Sequence, residues 1–140
     1  MSSELIVSVL ALIISIIGIP IGYYLGSRTA KNNECNKEID ALEELTETIL
    51  RECLNTYSSE KTDTGLMSYH LMVAYHKKLQ MKCTNIKDYG SFDDYPRELL
   101  RKIKQNITDK LFCNDEKASA IATIVILLSS LNDFYKKKFW

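Results

Sequence analysis

Two histidines in 140 residues leave little of the side chain that most often carries acid–base and metal chemistry. His70 and His76 are six positions apart, about 240° around a helix, so they cannot share one metal ion. Each reads as a core or surface histidine. No Ser/His/Asp order, paired-carboxylate spacing, HExxH motif or phosphate-cradling glycine loop occurs. The chain therefore reads as a non-enzyme with no catalytic residues. The four cysteines, Cys35, Cys53, Cys83 and Cys113, stand 18 to 30 residues apart with no CxxC or Cys/His spacing. That excludes the usual zinc patterns, so no metal site and no cofactor is expected. An even count allows two disulfides in an oxidising compartment, or four reduced thiols packed as small apolar residues in a reducing one. The net charge is also missing, at 18 basic against 18 acidic residues.

What is present is a long apolar run. Glu4 and Arg28 bracket 23 residues without a charge, Leu5 to Ser27. As a helix they extend about 34 Å, enough to cross a hydrocarbon core of about 30 Å. A helix satisfies its own backbone polar groups, which lipid cannot do. Tyr23 and Tyr24 fall near the exit, where amphipathic rings favour the headgroup layer. A cleaved signal peptide fits poorly, because there is no basic n-region, the apolar run is long, and no small-x-small site stands out. Arg28, Lys31 and Lys37 follow the run while Glu4 precedes it. The positive-inside rule thus expects residues 31–140 in the cytoplasm, which favours free thiols.

Within the run, Ser8, Ala11, Ser15, Gly18, Gly22 and Gly26 recur at spacings of 3 and 4, so they share one helix face. Ser15, Gly18, Gly22 and Gly26 make the tightest part of it, a surface that lets two helix backbones approach closely. A homo-oligomer is the expectation. Pro20 cannot donate to the carbonyl of Ile16, so a kink is expected about one turn back.

The remaining residues, about 110, are the size of one domain. The expected fold class is all-α: a transmembrane anchor over 1–30, then a small cytosolic bundle of about four helices over 31–140. Lys31-Asn32-Asn33 reads as a polar exit. From Cys35 to Tyr57, positions Cys35, Ile39, Leu42, Ile49 and Cys53 repeat at 4 and 3, with Thr46 filling one slot, and the other side is acidic. Ser58 to Thr64 reads as a linker with Asp63 or Thr64 as N-cap. A second helix over about 65–82 is apolar on nearly all sides and should lie in the middle of the domain. Residues 84–95 read as a loop. Pro96 opens a third helix that buries Leu99, Leu100, Ile103, Ile107 and Leu111 and turns Arg97, Arg101 and Lys104 outward. The last helix begins with 15 uncharged residues, Ala118 to Asn132. It is short for a second membrane span and ends in Lys136-Lys137-Lys138, so a buried core helix is expected. The tail from Phe134 to Trp140 alternates aromatic and basic residues, a composition suited to an anionic membrane surface. Asn106-Ile107-Thr108 matches the glycosylation pattern but falls inside a helix and is set aside.

Charge is unevenly spread. Glu34 to Asp63 holds nine acidic and three basic residues, and Lys77 to Lys110 holds nine basic and five acidic. The two stretches can pair with each other, or the basic one can meet an anionic ligand. In the second case the binding residues are Lys77, Lys78, Lys82, Arg97, Arg101 and Lys104, flanked by Tyr75, Tyr89 and Tyr95, a set suited to phosphates and stacked bases. As an architecture, a membrane segment joined to a small helical domain resembles the membrane effectors of bacterial antiphage systems, including the CRISPR-associated type switched on by cyclic oligoadenylates. That resemblance implies an oligomeric effector sensing an anionic nucleotide at the membrane. An adaptor that docks an unidentified protein partner, and an outward-facing regulator of the antiholin sort with two disulfides, are the alternatives.

Overall fold

The computed structural model describes residues 2–58, 65–89, 94–113 and 115–137, with the side chains of 65 and 66 left aside. Among the described residues there is no strand. The first helix, α1, runs unbroken from Ser3 to Ser58, 56 residues with Pro20 inside it. At 1.5 Å per residue it is about 84 Å long. The polar exit expected at Lys31-Asn32-Asn33 is therefore helical, and the apolar run and the first bundle helix are one element. The physical reason is plain: no glycine or proline occurs between Gly26 and Ser58 to break the hydrogen-bond ladder. Leu5 to Ser27 is exposed throughout and adds nothing to the buried core among the described residues, with Ile19 74% accessible. It is long and apolar enough to cross a membrane. Ser8 and Ser15 turn their hydroxyls back onto the carbonyls of Glu4 and Ala11, each at 2.9 Å, so the run carries no unsatisfied side-chain donor there.

The lower half of α1 forms one wall of a four-helix bundle. Its repeat positions Cys35, Ile39, Leu42, Thr46, Ile49 and Cys53 are all buried, as their spacing predicts. The second helix, α2 (Gly65–Tyr89), returns antiparallel, since Cys53 meets Met72 near one end and Glu38 accepts from Asn85 and Lys82 near the other. It continues seven residues past the expected stop and takes up half of the segment read as a loop. The stripe Met72, His76, Leu79, Cys83 and Ile86 is buried at spacings of 4 and 3, which carries the helix to Tyr89. Nor is α2 central: Met67, Leu71 and Met81 remain exposed on its outer side. Asp63 and Thr64, the expected N-cap, lie outside the described residues.

The third helix, α3 (Arg97–Lys104), follows the buried Pro96 and passes into a π turn, Gln105–Asp109, and a 3-10 turn, Lys110–Phe112. Leu100, Ile103, Ile107 and Leu111 are buried on it, and Leu99 is half-buried. Asn106 and Thr108 are buried too, so the glycosylation pattern is sterically closed. The fourth helix, α4 (Lys117–Phe134), packs on α1 and α3 through Ala120, Ile124, Leu128 and Leu131. It buries one face only. Val125 and Ile126 are exposed, which corrects the expectation of a buried core helix. Thr46 and Asn132 hydrogen-bond between α1 and α4 at 3.0 Å, and Lys137 pairs with Asp40, so α4 is antiparallel to α1. The topology is up-down-up-down, with the ends of α2 and α4 returning toward the apolar half of α1.

Candidate anion-binding cleft

The cations of α3 are aimed by its core face. Leu100 and Ile103 point inward, and helical geometry then sets Arg97, Arg101 and Lys104, at spacings of 4 and 3, about 100° round the helix, at the edge of the buried face. There they face α2 across a cleft of about 350 Å³ that is also lined by Lys77, Tyr95 and the edge of His76. Five of the nine residues chosen from the sequence, Lys77, Tyr95, Arg97, Arg101 and Lys104, thus share one cavity. A second hollow of about 460 Å³ continues from it, sharing Val73, Arg101 and Lys104 and ending at Tyr69 and Asp109. The result is one groove with a cationic middle and a tyrosine at each end.

Among the described residues, Arg101 alone of the groove's four cations is ion-paired, and Asp109 lies at one end. Arg101 donates two hydrogen bonds to Glu98 at 2.9 and 3.1 Å, but both side chains are well exposed and the pair is weak. Lys77, Arg97 and Lys104 have no ion pair among the described residues. His76 sits at the floor with Nε2 3.1 Å from the carbonyl of Leu100, so its neutral tautomer donates from Nε2. Burial lowers its pKa, the Leu100 carbonyl opposes that, and the charge of Lys104 lowers it again. Tyr95 is half-buried with its hydroxyl on Thr84, and burial raises its pKa. Its ring is thereby held at the cleft's mouth.

The other four residues lie elsewhere. Lys82 pairs with Glu38 at 3.1 Å, Lys78 stands 5.8 Å over the ring of Tyr75, and all three line a hollow against Glu44 and Leu45 of α1. Here the acidic and basic stretches do meet. Tyr89 is exposed at the end of α2 and lines neither cleft. Sequence reasoning missed Tyr69, Val73 and His76, although 69, 73, 76 and 80 continue the helix face of Lys77 at spacings of 4 and 3. His70 is exposed against the Tyr69 ring and is remote from a metal role; no metal-ligating cluster occurs among the described residues.

At the other candidate site, a Cβ placed on Gly18, Gly22 or Gly26 meets nothing within 4 Å. Packing inside the chain gives these glycines no role. No family model, curated protein or solved structure matches the chain.

Proposed function

We propose that the chain is a single-pass membrane effector, with Leu5 to Ser27 in the bilayer and the bundle in the cytoplasm. Its α2–α3 groove senses an anionic ligand of the nucleotide class. The observation that carries this reading is the convergence of Lys77, Arg97, Arg101 and Lys104 beside Tyr95 in one cleft. Arg97 to Lys104 spans about 10 Å along α3, room for two phosphates in a row, and an aromatic at each end offers a face for a base. A cyclic oligonucleotide has both features. The continuity of α1 supplies a route from ligand to bilayer, because the helix that would cross the membrane also supplies a wall of the bundle core. A ligand that prefers one arrangement of α2 and α3 biases the helix packed against them. Self-association through Ser15, Gly18, Gly22 and Gly26 would place several grooves around one axis.

Calorimetry of the full chain in detergent against cyclic oligonucleotides tests the reading. Binding at tens of micromolar or tighter, lost in Arg97→Glu with Lys104→Glu, supports it; no heat with any of them rejects it. Gly22→Leu should reduce the oligomer measured by light scattering in the same detergent.

A membrane-anchored adaptor is the second reading, favoured by the exposed Met67, Leu71, Val125 and Ile126. It predicts that one partner co-purifies from native membranes and survives charge reversal at Arg97 and Arg101. The outward-facing regulator calls for two disulfides, and Cys35, Cys53, Cys83 and Cys113 form none here, which favours the cytoplasmic reading.

A further inference from the structure

We infer that the groove takes a guanine base at its Tyr69 end, so that its ligand is a guanine nucleotide and not an adenine one, with Asp109 as the discriminating residue. The inference rests on the reading that the groove binds a nucleotide. It starts from an acid in an otherwise cationic surface. Lys77, Arg97, Arg101 and Lys104 line the groove, yet Asp109 stands at the end of it. A phosphate beside that carboxylate meets a like charge, which costs binding. The phosphates therefore belong to the cationic middle. The Asp109 end is left for a neutral group that donates hydrogen bonds.

The local fold delivers that acid. After Lys104 the chain passes into the π turn Gln105–Asp109, and Gln105, Thr108 and Asp109 from it line the hollow of about 460 Å³. Such turns are rare and gather at functional sites. The Thr108 hydroxyl lies 2.7 Å from the Lys104 carbonyl and 3.2 Å from Asp109 Oδ1. It has one proton, and the shorter contact takes it. Asp109 is exposed and has no other hydrogen-bond or ion-pair partner among the described residues. Its carboxylate thus keeps its acceptor capacity for a ligand. The exposed Gln105 amide likewise bonds nothing among the described residues. Tyr69 completes this end. Its ring is edge-on to Phe112 at 5.7 Å and to His70 at 5.8 Å, and it stays 39% accessible, a platform on which a base can stack.

The edges of the bases then decide. Guanine carries two donors side by side, N1–H and the N2 amino group, next to the O6 acceptor. A carboxylate accepts from both donors at once, and the Gln105 amide can donate to O6. Adenine turns one amino group and a bare ring nitrogen to the same carboxylate. One contact is lost, and a lone pair faces a negative charge. Cytosine and uracil also lack a second donor beside the first.

The full chain in detergent is titrated by calorimetry with cyclic diguanylate, cyclic diadenylate, GDP and ADP. The guanine member of each pair should bind roughly tenfold to a hundredfold tighter, the discrimination expected of one bidentate contact to a base edge. Asp109→Asn, an isosteric change at an exposed position, should remove that advantage by weakening the guanine ligands alone, with the melting temperature unchanged. A guanine preference in the cyclic pair, in the linear pair or in both, lost in the variant, supports the inference and shows which form the groove accepts. Equal binding of the two bases, a preference for adenine, or a guanine preference that survives Asp109→Asn overturns it and leaves the nucleotide reading standing. No heat with any of the four defeats both.

Discussion

Thiol reactivity offers a direct reading of the bundle. Cys35, Cys53 and Cys83 are buried and Cys113 is exposed. Burial, with the charge of Glu52 adding to it, pushes the Cys53 thiol from 9.0 up to about 12. Burial pushes Cys83 from 9.0 up to about 11, against an opposing hydrogen bond with Tyr135. The thiolate is the reacting species, and each unit removes nine-tenths of it at neutral pH. Relative to the same thiol in water, Cys53 loses about a thousandfold in thiolate and Cys83 about a hundredfold. Steric closure slows both further, since the reagent must wait for an opening of the bundle.

Maleimide at pH 7.5 should therefore add one equivalent quickly to the native chain in detergent. Three more should follow only after denaturation, and Cys113→Ser should remove the fast one. Raising the pH should speed Cys83 about tenfold per unit until near pH 11. Two fast equivalents would refute the packing of the bundle. Fewer than four thiols after denaturation without reductant would refute the free-thiol state, because a disulfide must then have formed. Repeating the experiment on intact cells with a membrane-impermeant maleimide tests the proposed side of the membrane: Cys113 should react only after lysis.

Three further outcomes follow from the core. Thr46→Val leaves the Asn132 amide without its partner at a half-buried site and should cost about 1–3 kcal/mol in urea unfolding, while adding Asn132→Leu should recover part of it. Leu42→Ala, at a fully buried position of α1, should cost about 2–5 kcal/mol in the same assay. His76 is held below its ordinary pKa, so the unfolded chain takes up a proton first as the pH falls. Stability should be full above about pH 6.5 and decline below it until the folded histidine itself titrates, and His76→Gln should flatten that slope.

The stripe on α1 was fully legible, including Thr46, because a strict repeat of 4 and 3 over six positions has no other use in a bundle. The position of α2 was not. Its window is apolar on all sides, and the true buried stripe contains His76, which is polar by composition but satisfied by the Leu100 carbonyl. Without that histidine the stripe is broken, and Met67, Leu71 and Met81 look equally fit to be buried. The stop of α2 was misplaced for a related reason: Thr84, Asn85, Lys87 and Asp88 suggest a loop, while the single Ile86 keeps the stripe going. The π and 3-10 turns after Lys104 left no mark, since the spacings from Leu100 to Leu111 suit an ordinary helix. In the cleft, the α3 cations were legible from helical spacing alone. Which α2 residues oppose them depends on the rotation of α2, and only the packing of Met72, Leu79 and Cys83 fixes that.

The unbroken helix also constrains how copies can associate. At about 100° per residue, the face of Gly18, Gly22 and Gly26 lies about 145° from the stripe Cys35 to Cys53. Two chains joined through the glycines would thus carry their bundles on the outside, with no clash. The same phase, continued down α1, however, brings the exposed Asp40, Glu44 and Glu47 toward the partner. Whether these charges oppose association depends on the crossing angle. Glu47 is 25 residues from Gly22, about 37 Å along the axis. A right-handed glycine-face crossing of about 40° would separate the two copies of Glu47 by about 25 Å, beyond a Debye length of about 8 Å at physiological salt. A left-handed crossing of about 20° would leave about half that separation, where repulsion persists at low salt. In a dimer joined by the glycines, the acidic face would therefore favour the right-handed crossing at low salt. Glu44→Gln with Glu47→Gln should leave the dimerisation constant in detergent unchanged at both 0.02 and 0.15 M salt, to within about twofold by fluorescence transfer. A tightening of tenfold or more at low salt would show the acidic faces near each other, as the left-handed crossing places them, and would refute the right-handed one.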